Sequence, residues 1–141
     1  DFIICSNKGV TSQLVEGYET TGKSQLSVMT VADHDLNKYG VVKIGSKSNS
    51  VEGLIEKPLL KDAPSNLVSI GRYILTPDIF STLRNQSTGV DGEIQLADAI
   101  NTAANNKSFE SILLDGKRFD CGNIDGYLDA INHVSKDRQN K

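Results

Sequence analysis

The sequence predicts an α/β fold, a mixed sheet flanked by helices. Three observations carry this. A short apolar run, an amphipathic stretch and a β-branched run open the chain in strand–helix–strand order, the signature of an α/β unit. Two short strand-like runs, Gly40–Ile44 and Val51–Glu56, are spaced as a hairpin. The strongest strand pattern, Leu67–Leu75 (LVSIGRYIL), runs directly into a helix start. The 141 residues suffice for one modest domain. With no tryptophan and few aromatics, the core has to be built from Val, Ile and Leu.

Taken in order, Phe2–Cys5 is fully apolar, as expected of a strand buried on both faces. Thr11–Thr21 carries Leu14, Val15 and Tyr18 at helical spacing, and Gly22 stands at the C-cap. Gln25–Val31 alternates and is β-branched, so it reads as a strand. Asp33–Tyr39 is a polar loop, 45–50 a turn-rich loop, and 59–64 a connector after Pro58 stops the second hairpin strand. Thr76 fits an N-cap with Pro77 at the first helical position, giving a helix to about Leu83. Residues 85–92 are polar. Glu93–Ala104 reads as an amphipathic helix with Ile94, Ala97 and Ile100 on one face. Phe109–Leu114 is a strand, Asp115-Gly116 a turn, and Arg118–Asp120 a short further strand. The last helix is expected from Ile124 to about Val134, and residues 135–141 as a charged, frayed tail.

The net charge of −3 gives no electrostatic case for nucleic acid. Two cysteines make no disulfide framework, so Cys5 and Cys121 read as reduced thiols of a cytosolic protein. There is no long apolar segment and no signal peptide pattern. The chain begins without Met in the middle of an apolar run, which is expected of a piece of a longer protein.

Several residues are candidates for chemistry, each with a plainer reading beside it. Lys57, ending a strand in Glu56-Lys57-Pro58, can offer its ammonium to a phosphate while Glu56 accepts from sugar hydroxyls; it can equally be a surface pair before a turn. Gly40 opens a strand where a ligand could approach the backbone, or is an ordinary loop glycine. Asp91 and Glu93 suit a helix N-terminus, which explains them without a ligand. Asp120 lies at a strand end, followed by Gly122, Asn123 and a helix start. That places a carboxylate and backbone N–H groups around one small volume, suited to a metal-bound phosphate. The alternative is an aspartate bonded to its own turn. Asp1 reads as either the end of an acidic loop or a plain terminus. His34 and His133 lack metal-ligand spacing and read as surface residues, and Cys121 has no histidine partner.

The order of these signals is more specific than any one of them. Tyr39-Gly40-Val41-Val42, Val51–Pro58, Pro64-Ser65-Asn66-Leu67, Gly71–Leu75, Gly92–Ile100 and Asp120-Cys121-Gly122-Asn123 together resemble the C-terminal half of the bacterial UTP–glucose-1-phosphate uridylyltransferases. The resemblance implies part of a Rossmann-like, GT-A-like nucleotidyltransferase fold. Residues 1–134 would form its sugar-phosphate half, with the N-terminal nucleotide-binding half absent. By that resemblance Gly40 and Glu56 contact the glucosyl group and Lys57 the phosphate. Glu93, Gly122 and Asn123 add substrate contacts, and Asp120 together with Asp1, or the neighbour of Asp1, holds Mg2+. Lys57 and Asp120 are the residues expected to carry catalysis. It further implies UTP and glucose 1-phosphate as substrates of the full-length protein, and an isolated half that is inactive. The missing strands would leave a sheet edge or face exposed, so a homo-oligomer is expected, and the reduced thiols imply a cytoplasmic protein. Another sugar-1-phosphate nucleotidyltransferase using dTTP or ATP, or a non-catalytic sugar-phosphate-binding or assembly domain, fits the same residues.

Overall fold

A computed structural model describes every residue except 48, 89–91, 106–107 and 140–141. The chain divides into two compact units, Thr11–Leu113 and the pair of segments Asp1–Val10 and Leu114–Lys141.

The larger unit holds strands β2 (Ser24–Thr30), β3 (Gly40–Ile44), β4 (Val51–Glu56), β5 (Leu67–Ile74) and β6 (Phe109–Leu113). They form one sheet in the order β4-β3-β5-β2-β6. β2 and β6 run parallel, and the other pairs are antiparallel. The sheet is therefore mixed, as the sequence predicts. The β3–β4 hairpin is present, with Gly40 opposite Glu56 and Val42 opposite Leu54. Its tip reaches β6, where the Ser111 N–H donates to Asn49 O at 2.7 Å.

Adjacent strand residues face opposite sides, and the apolar pattern uses both. Val42 joins Leu26, Val28, Leu54 and Phe109 in a core shared with Ile79, Ala99 and Ile100 of helices α2 (Ile79–Asn85) and α3 (Leu96–Ala104). Its neighbour Val41 packs instead with Val68 and Leu36 in a second cluster. Leu36 sits in a 3-10 turn, Asp33–Lys38, where the sequence reading has a loop. Each fully buried Val, Leu or Ile contributes about 1.5–3 kcal/mol, so these positions fix the strand register.

Helix α1 (Val10–Thr21) lies in the larger unit but for its first residue. Gly22 ends it in the left-handed region, φ 66°, its N–H bonded to Tyr18 O at 2.7 Å.

The smaller unit pairs β1 (Phe2–Cys5) antiparallel with β7 (Gly116–Phe119), followed by α4 (Ile124–Gln139). Phe119 and Ala130 are buried there, and the Phe119 ring lies 5.2 Å from that of His133.

Five expectations need correction. β1 is not buried on both faces: Phe2 is 43% exposed and residues 3–5 are half-buried, since burying both faces of a strand takes a packed layer on each side. β1 and β2 lie in separate sheets, so the opening segment is no βαβ unit; the parallel pair is β2 with β6. Thr76 does not cap α2. Its N–H and hydroxyl meet the Ser24 hydroxyl at 3.0 and 3.2 Å, and the helix starts at Ile79 after a turn. α3 starts at Leu96 rather than Glu93, since Gln95 is still extended at φ −86° and ψ 125°, and Ile94 is left 52% exposed. α4 continues past Val134 to Gln139. Lys136 and Arg138 complement its C-terminal dipole, and His133 lies 3.6 Å from Asp137 one turn on. His133 is thus half-buried, while His34 is exposed.

Candidate functional site

The larger unit brings Gly40, Glu56 and Lys57 to one end of the β3–β4 hairpin. Gly40 and Glu56 are register partners. A Cβ at Gly40 would lie 3.1 Å from Glu56 Oε2 and 3.2 Å from Leu54 Cδ1, so the glycine leaves the Glu56 carboxylate its space. Lys57 follows with φ 45°, a left-handed conformation that costs a non-glycine residue about 1–2 kcal/mol. Two neighbours hold it there. The Lys57 N–H donates to Tyr39 O at 3.0 Å, and buried Pro58 disfavours the ordinary helical conformation for the residue before it. Glu56 and Lys57 are both exposed, and the Lys57 ammonium has no ion-pair partner among the described residues. A bare cation beside a carboxylate at a strand end can bind a phosphate and accept from hydroxyls.

Glu93 belongs to this unit, in the link before α3. Its Oε2 accepts from Gln95 Nε2 at 3.3 Å. The cap expected of Asp91 lies outside the described residues.

In the smaller unit the glycine turn closes on itself. Asp120 Oδ1 accepts from the Gly122 N–H at 3.0 Å, and Asn123 Nδ2 donates to Asp120 O at 3.3 Å. Asn123 is the N-cap of α4: its Oδ1 accepts from the Gly126 N–H at 2.9 Å and its carbonyl from Tyr127 at 3.1 Å. Glycine is required at 126, because a Cβ there would run into Asp120 O. The backbone N–H of Gly122 expected around a phosphate is therefore already bonded by Asp120, and that of Gly126 by Asn123.

The antiparallel register sets Phe2 opposite Phe119, which brings Asp1 and Asp120 to the same end of the ribbon. Asp1 is held by Arg118 through two bonds, Nε to Oδ2 at 2.9 Å and Nη2 to Oδ1 at 2.8 Å. No group of three or more His, Cys, Asp or Glu side chains gathers as a metal site among the described residues. Asp120, exposed and with only one of its oxygens bonded to the turn, fits a hydrated magnesium, which uses one or two carboxylates together with substrate phosphates. Asp1 fits less well, because both of its oxygens already have a partner.

Sequence reasoning missed three partners: Arg118, the Tyr39 carbonyl, and a buried network around Glu110. Lys23 Nζ lies 2.9 Å from Glu110 Oε1, and Gln25 Nε2 donates to Glu110 Oε2 at 3.5 Å. The alternation of Gln25 with Leu26 placed this side chain on a sheet face, but nothing local revealed its partner 85 residues away.

The hairpin end and the aspartate turn occur on a recognisable framework. The chain belongs to the nucleotidyl transferase family, whose model matches residues 3–137. Within that class its particular likeness is to UTP–glucose-1-phosphate uridylyltransferases. That of Pseudomonas aeruginosa is 42% identical over 127 residues, 88% of this chain and 46% of the relative. The crystal structure of an apo UDP-glucose pyrophosphorylase matches with a TM-score of 0.90 and 38% identity, covering 98% of this chain and 52% of that one. Another, complexed with UDP-glucose, matches at 0.86 and 37%, covering 96% and 53%. The chain spans about half the length of the relatives it matches.

Proposed function

We propose that this chain supplies the sugar-phosphate half of a UTP–glucose-1-phosphate uridylyltransferase with a Rossmann-like, GT-A-like fold. The observation that carries the reading is the 42% identity to such an enzyme along 88% of the chain. In the complete protein, a phosphate oxygen of glucose 1-phosphate attacks the α-phosphorus of UTP. The bond to the β-phosphate breaks, pyrophosphate leaves, and UDP-glucose forms. No covalent nucleophile is needed; the protein positions two polyanions and offsets their repulsion. Lys57 holds the sugar phosphate, with Gly40 and Glu56 against the glucosyl group. Glu93, Gly122 and Asn123 supply further contacts. Asp120 is the carboxylate offered to magnesium, and Asp1 joins it only if Arg118 releases its grip. Magnesium, when bound, neutralises phosphate charge. The protein works in the cytoplasm as a homo-oligomer.

A second reading of the same exposed Glu56 and Lys57 is sugar-phosphate binding without catalysis. Titration of glucose 1-phosphate into the chain, followed by amide NMR, tests the first step. Binding is expected, with shifts centred on 39–41 and 56–58. A charge-assisted hydrogen bond contributes about 1.5–3 kcal/mol, so Lys57→Ala should weaken affinity roughly tenfold or more. Equal affinity in the variant would remove Lys57 from the site.

A further inference from the structure

In the β1–β7 ribbon Arg118 stands opposite Ile3, and Phe119 opposite Phe2. One step further the same register sets Asp1 against Asp120, and like charges directly opposite one another are destabilising. Arg118 lies diagonal to Asp1, within reach for a long side chain, and takes both of its carboxylate oxygens in a fork. The pair is shielded from water, the Arg118 side chain being 11% exposed and that of Asp1 28%. Neighbouring Lys117 is on the other face of the ribbon, its Nζ 5.1 Å from the centre of the Phe119 ring.

We propose that the Asp1–Arg118 pair is an exchangeable lock: a substrate phosphate takes the guanidinium, and Asp1 then becomes the second carboxylate for magnesium. Taking one partner from a shielded ion pair leaves an uncompensated charge, which is strongly unfavourable. A dication and a phosphate arriving together leave none. The dication compensates Asp1, and the phosphate offers Arg118 the same two-oxygen geometry as a carboxylate. Metal and phosphate therefore favour each other's binding, by the same factor in either direction. Arg118 is thus a phosphate-binding residue in addition to Lys57. The proposal rests on the reading of Asp120 as the magnesium carboxylate and is independent of which sugar the hairpin end binds.

Mn2+ as the probe for magnesium and methyl phosphate as the probe for a substrate phosphate test it in the chain. Free Mn2+ is read by electron paramagnetic resonance and corrected for the Mn2+–methyl phosphate complex in solution. In the parent, methyl phosphate is expected to tighten Mn2+ binding at least about tenfold, within the usual range of coupling between sites. Arg118→Gln should bind Mn2+ alone more tightly, because Asp1 is released, and lose most of the enhancement. Lys117→Gln removes an equal charge without touching Asp1 and should keep it. Arg118→Lys retains the charge but not the fork; it should also reduce the enhancement, and serves if circular dichroism shows Arg118→Gln unfolded. Equal enhancement in the parent and in the folded Arg118 variant would overturn the proposal and leave the magnesium assignment standing. Mn2+ binding that survives Asp120→Asn unchanged would overturn both, as would a parent chain that binds no Mn2+ even with methyl phosphate.

Discussion

Lys57 is the residue at which conformation and chemistry meet. Its left-handed backbone at φ 45° is a cost carried by a residue that could have been glycine without it. Lys57→Gly should therefore raise stability by about 1 kcal/mol in urea unfolding, while losing phosphate affinity as fully as Lys57→Ala. A glycine variant no more stable than the parent would show that the conformation carries no strain. Glu110 carries a different burden. Burial, the largest single influence, pushes its pKa up, but the hydrogen bonds from Lys23 and Gln25 and the Lys23 charge outweigh it. The carboxyl is held below its ordinary 4.5. A carboxylate with a depressed native pKa contributes stability that is complete above its unfolded value and lost as pH falls through the native one. Stability should thus decline as pH drops below 4.5, and Glu110→Gln should flatten that decline. An identical acid slope in the variant would show the pair is not coupled to folding.

At the scale of elements, the start of α4 is the most constrained turn of the smaller unit. Asn123 caps the helix through Gly126, and Gly126 passes against Asp120 O. Gly126→Ala forces an added methyl into that carbonyl and should cost about 1–3 kcal/mol. Asn123→Ala loses the cap and the weaker Nδ2 bond to Asp120 O, about 1 kcal/mol. Amide exchange across α4 is the measurement, and an alanine at 126 that leaves it unchanged would refute the contact. The β3–β4 hairpin was legible because its two strands are close in sequence and Pro58 marks its end. The start of α3 was not. Ile94, Ala97 and Ile100 keep helical spacing, but the extended backbone of Gln95 decides where the helix begins, and periodicity carries no information on those angles.

For the whole molecule, the expectation is that the chain alone makes no UDP-glucose from UTP and glucose 1-phosphate, and that activity returns with the portion outside the match. Turnover above an enzyme-free blank by the isolated chain would refute the half-site reading. No helix among the described residues is long and apolar enough to cross a membrane. The sequence by itself determined the α/β class, the mixed sheet's hairpin and the resemblance in motif order. These depend on local periodicity, turn chemistry and residue order, all written in neighbouring positions. Only the tertiary structure decided that β1 pairs with β7 rather than lying beside β2, that Arg118 grips Asp1 across 117 positions, and that Asp120 and Asn123 bond their own turn. Those outcomes depend on which distant groups satisfy one another's hydrogen bonds and charge, a competition among partners that no local window of sequence contains.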